Sequence, residues 1–138
     1  MHTHSDVPLP AIHPGSPQQA DMVGFGRLLG AALEGCQTCQ RAHIGDLLGD
    51  HRVIAHAAAM AWTLERSFCE QYVGVARRIE ELPPAVRPIA TAVDTATSTD
   101  STTWEHAAAA LDRASRQEAL DYALDILIGV MSTKVIAS

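Results

Sequence analysis

Residues 53–82 read VIAHAAAMAWTLERSFCEQYVGVARRIEEL, and this stretch decides the fold class. Within it Val53, Ala57, Met60, Leu64, Phe68, Tyr72, Val75, Ile79 and Leu82 succeed one another at steps of three or four. The mean step is about 3.6 residues, the period of an α-helix, so one face of the stretch is apolar. The opposite side is apolar too, with Ala55, Ala58, Ala59, Trp62, Cys69, Val73 and Ala76 on or near it. Arg52, Arg66, Glu70 and Arg77 leave only a narrow polar strip between these faces. A helix that is apolar on two sides is buried on two sides. It is therefore either the central helix of the fold or a helix whose back packs on a second copy of the chain. The second alternative predicts a homodimer interface through Ala55, Ala58, Ala59, Trp62, Cys69 and Val73.

This long helix is expected over about residues 50–82, with Asp46 or Asp50 available as its cap and Pro83-Pro84 as its stop. Before it, Ser16-Pro17-Gln18-Gln19 places Ser at an N-cap, Pro at the first helical position and Gln three residues after the cap. The helix that starts there is expected to run to about His43, through Gly24, Gly26, Gly30 and Gly35. Each glycine costs up to about 1 kcal/mol of helix propensity, so their presence predicts close approach of a neighbouring helix. Residues 1–16, with Pro8, Pro10 and Pro14, read as an extended or disordered arm. After the long helix a shorter one fits residues 84–97, with Val86, Ile89, Ala90 and Val93 inward. A polar break spans 95–101. Thr102 and Glu105 then form a capping box for a last helical region reaching about residue 136, as one helix or as two bent near Ser115. The expected architecture is all-α: a bundle of four or five helices, mostly antiparallel, forming one domain over 17–138 with a Pro-rich N-terminal arm over 1–16.

The bulk composition narrows function mainly by exclusion. The chain has 138 residues, enough for one domain with a real core. Its net charge of −6 argues against nucleic acid and against an anionic membrane as partners. No run of apolar residues is long enough to span a bilayer, and no secretory signal is visible at the start. Three cysteines cannot form a complete set of intrachain disulfides, which favours a reducing, cytoplasmic setting. Nine arginines against the single Lys134, with an excess of alanine, fit a GC-rich bacterial source.

Few residue clusters carry chemistry. Cys36, Cys39 and His43 stand at i, i+3 and i+7, one face of a continuous helix. Thiolates and an imidazole converging in a bundle suit a soft or borderline metal, with Cys69 as a further ligand from the long helix. The competing readings are core packing, since cysteine behaves as a small hydrophobe, and a redox thiol. A disulfide between Cys36 and Cys39 inside a regular helix would be strained. The pair resembles the cysteine-lined metal-storing four-helix bundles at these two positions alone, and no role is carried over. No Glu-x-x-His exists for a carboxylate-bridged di-metal centre, and no phosphate-cradling loop or nucleophile elbow is present. His51 and His56 lie five apart, diverge by roughly 140° and read as surface or helix-end residues. Glu118, Asp121 and Asp125 form an acidic strip on the last helix. The expected function is a non-enzymatic helical protein of regulatory, adaptor or inhibitor type, acting through protein–protein contacts as a homodimer, with no cofactor. The alternatives are a metal- or cofactor-binding bundle using the Cys/Cys/His face and a small-molecule-binding bundle.

Overall fold

The computed structural model describes residues 22–74, 78–95 and 102–137. Among them the chain is all-α, with six α-helices and no strand: α1 Met22–Leu33, α2 Gln37–Leu47, α3 His51–Phe68, α4 Arg87–Thr95, α5 Thr102–Ala109 and α6 Arg113–Ala137. The expected arm over 1–16, the cap at Ser16 and most of the break over 95–101 lie outside the described residues. No helix among those described is long and apolar enough to cross a membrane.

Six helices replace the expected four or five because two expected helices are each split. The first splits at Gly35. There α1 ends in a Schellman turn: the Cys36 N–H donates to Ala31 O at 3.0 Å and the Gly35 N–H to Ala32 O at 3.1 Å. Gly35 holds φ +74°, a left-handed conformation that residues with a Cβ avoid. Gly26 and Gly30, by contrast, are buried inside α1. The last helical region splits at 110–112, slightly before the expected bend. Asp112 starts α6 by accepting the Ser115 N–H at 2.8 Å, and this hydrogen bond holds its carboxyl below the ordinary carboxylate range.

The long helix is shorter than its pattern. Asp50 caps α3 by accepting the Arg52 N–H at 3.0 Å. After Phe68 the backbone widens into a π-helical turn, Cys69–Val73, closed by the Gly74 N–H on Cys69 O at 2.8 Å. Gly74, at φ +77°, ends the helix well before Pro83. A short 3-10 turn, Ile79–Glu81, then leads through Leu82 into α4. Arg87 pins this turn by donating to Leu82 O at 2.9 Å and to Glu80 O at 3.0 Å.

Of the two alternatives for α3, the structure takes the first: α3 is the central helix. It packs on each of the other five helices, most extensively on α6 and α5. Every residue over 53–62 is buried, both the Val53–Ala57–Met60 side and the alanine side. This corrects the expected dimer surface. Ala55, Ala58, Ala59 and Trp62 are covered by the chain's own helices and cannot meet a second copy without opening the core. Cys69 is half-buried, and the Val73 side chain lies outside those described. Alanines allow this close layering because short side chains let neighbouring backbones approach. Phe25, Leu28 and Leu29 from α1, Ile89 from α4, Trp104 from α5 and Leu120 from α6 complete the core.

Candidate functional site

Trp62 anchors α3 to α4. Its indole N–H donates to Asp94 Oδ1 at 3.0 Å, and the Arg66 guanidinium, ion-paired with the same Asp94, lies over the Trp62 ring at 5.5 Å. Both its location in the core and its polar contacts are accounted for within the chain. His56 is similarly inward. Only 6 % exposed, it places Nε2 3.3 Å from Glu105 Oε1, and its ring meets Trp104 edge to face at 5.6 Å. The surface reading of His56 is corrected: it is buried, and Glu105 reaches across from α5 to meet it. His106, beside Glu105 in sequence, is exposed, and Glu65 on α3 is buried.

The cysteine face is also rearranged. Cys36 does not continue α1. It occupies the N-cap of α2 with extended dihedrals, φ −87° and ψ 95°, and its carbonyl accepts the first bond of that helix from the Gln40 N–H at 3.1 Å. Cys39 lies in the first turn of α2 and is buried. The two thiols are hydrogen-bonded to each other. That contact, and after it burial, pushes the Cys39 thiol above its ordinary value. His43, one turn further along α2, is half-buried. Cys69 sits at the opposite end of α3 from the α2–α3 junction, a helix length of roughly 27 Å. Among the described residues no three His, Cys, Asp or Glu side chains converge to hold a metal. The structure thus brings Cys36 and Cys39 together and leaves His43 and Cys69 outside any such set. The separation of Cys36 from helix one is signalled in the sequence by Gly35, which reads equally well as a packing glycine.

A concavity lies elsewhere, where the end of α3 and the turn before α4 face α6. It is an open cleft of about 970 Å³. Glu118, Asp121 and Asp125 form one wall, and Glu65 and Glu81 contribute from the other chain segments; among the described residues no Lys, Arg or His lines it. Leu82, Tyr122 and Ile126 give it an apolar component. Glu118 is fixed by accepting the Ala85 N–H at 3.0 Å. Asp121 is pushed above the ordinary carboxylate range, first by desolvation at the cleft wall and then by the like charge of Asp125 one turn along. The acidic strip of α6 is legible in the sequence. Glu81 is not, because only the reversal of the chain after Gly74 brings it back beside α6. Comparison with known proteins finds no matching family model, no matching sequence relative and no matching solved structure.

Proposed function

We propose that this chain acts by contact with a protein partner, in a regulatory, adaptor or inhibitor type of role, and that the cleft between α3 and α6 receives a basic amphipathic segment of that partner. The single observation that carries this reading is a cleft with five lining carboxylates, some apolar lining and no lining cation among the described residues. Like charges facing one another raise the free energy of the empty cleft, which a cationic segment relieves, while Pro83 and Ile126 accept its apolar side. The same charge makes the cleft a poor surface for a second copy of this chain, because a two-fold contact would set acid against acid. The surface for contact therefore moves from the alanine side of α3, which is spent in the core, to this acidic groove.

Fluorescence anisotropy with a labelled Arg/Lys-rich amphipathic helical peptide, beside its charge-reversed counterpart, tests the reading. The basic peptide is expected to bind and to weaken as salt rises. The double variant Asp121→Asn with Asp125→Asn is expected to weaken it by about three- to tenfold, since each partly exposed pair contributes on the order of 0.2–1 kcal/mol. Equal binding of the two peptides, or binding of neither, overturns the proposal.

A further inference from the structure

The sequence objection to a Cys36–Cys39 disulfide assumes that both residues lie inside one regular helix. They do not. The Schellman turn at Gly35 takes Cys36 out of helical geometry and sets it at the N-cap of α2, with Cys39 in the first turn and the two thiols in hydrogen-bond contact. We propose that Cys36 and Cys39 form a redox-active dithiol that exchanges with disulfides, Cys36 as the attacking sulfur and Cys39 as the resolving one. This site is independent of the acidic cleft.

Accessibility and local field set the roles. Cys36 is partly exposed and is flanked by exposed Gln37 and Thr38, so an incoming disulfide can reach its sulfur. Cys39 is only 1 % exposed and can reach little except Cys36. An eleven-residue helix begins just after Cys36, and the positive end of its dipole favours negative charge on a sulfur placed there. The contact between the thiols also pushes Cys39 up, which suits Cys39 to the second, resolving step rather than to the first.

The exchange balances without any further reagent. The Cys36 thiolate attacks one sulfur of a disulfide RS–SR; a Cys36–SR bond forms, the RS–SR bond breaks and RS⁻ leaves. Cys39 then loses its proton and attacks Cys36 Sγ, forming the Cys36–Cys39 bond and releasing the second RS⁻. Two protein thiols are oxidised, one disulfide is reduced to two thiols, and the reverse sequence with two thiols restores the pair. Cys69 is an internal comparison, a half-buried free thiol at the start of the π turn, far along α3 from this junction.

The experiment equilibrates the full chain in mixtures of reduced and oxidised glutathione, quenches by alkylation and reads intact and peptide masses. The expected result is a single two-electron transition that yields a Cys36–Cys39 disulfide, with Cys69 alkylated throughout and the circular dichroism unchanged. Cys39→Ser is expected to accumulate a glutathione mixed disulfide on Cys36. Cys36→Ser is expected to label at Cys39 at least tenfold more slowly than Cys39→Ser labels at Cys36. A wild-type pair that stays reduced in excess oxidised glutathione, while Cys69 reacts, overturns the proposal without recourse to any variant. So does a metal ion retained on the pair in native mass spectrometry that blocks its oxidation.

Discussion

Over residues 53–62 every side chain of α3 is buried, whereas over 63–68 only Glu65 is, and Leu64 is 36 % exposed. The two halves share one apolar period, so periodicity does not separate them. What separates them is what stands opposite. The first half is rich in alanine, which admits α1, α5 and α6 to close range. The second half carries Leu64, Arg66 and Phe68, widens into the π turn and faces the cleft and solvent. A period identifies a helix; the sizes of the side chains on it decide how many neighbours can share it.

Several substitutions put this contrast at risk. Trp62→Ala, at the boundary, is expected to cost about 3–5 kcal/mol, because it opens a core cavity and removes the indole bond to Asp94. Chemical denaturation measures it, and a loss below about 1 kcal/mol would show that the first half is not the packed centre. Next comes a pair of opposite changes. Ala58→Leu adds volume where α3 is fully covered and is expected to cost about 1–3 kcal/mol, while Leu64→Ala removes volume at an exposed position and is expected to stay within about 0.5 kcal/mol. Equal effects from the two would erase the contrast. The smallest effect belongs to the cleft side. Because the folded-state carboxyl of Asp121 titrates above its unfolded value, its favourable contribution is complete below the ordinary carboxylate range and is lost as pH rises through the raised value. Asp121→Asn is therefore expected to raise the melting temperature at neutral pH and to leave it unchanged in acid, as calorimetry at two pH values would show.

The helical class and the register of the core over 53–62 are readable in the sequence, because 3.6-residue spacing is a local signal. The helix boundaries are less so. Gly26, Gly30 and Gly35 look alike as letters, yet two are buried within α1 and the third terminates it in a left-handed turn; only tertiary packing distinguishes them. Gly74 ends α3 although the apolar period continues to Leu82, which joins the core from a different segment. For the sites, the Cys-x-x-Cys spacing and the strip on α6 are visible locally. The N-cap setting of Cys36 and the approach of Glu65 and Glu81 to α6 are non-local, and no spacing rule carries them. His56 with Glu105, separated by 49 positions, is the same case.

A helix that touches all the others also has consequences for the order in which the chain is made. Trp62 leaves the ribosome about fifty residues before Arg113, the first residue of α6, the helix that packs most extensively on α3. At about 5–20 residues per second the alanine side of α3 stays uncovered for several seconds. During that interval α3 lacks the helix that covers it most, so it is in vectorial synthesis, rather than in the finished fold, that this side is open to chaperones or to a neighbouring nascent copy.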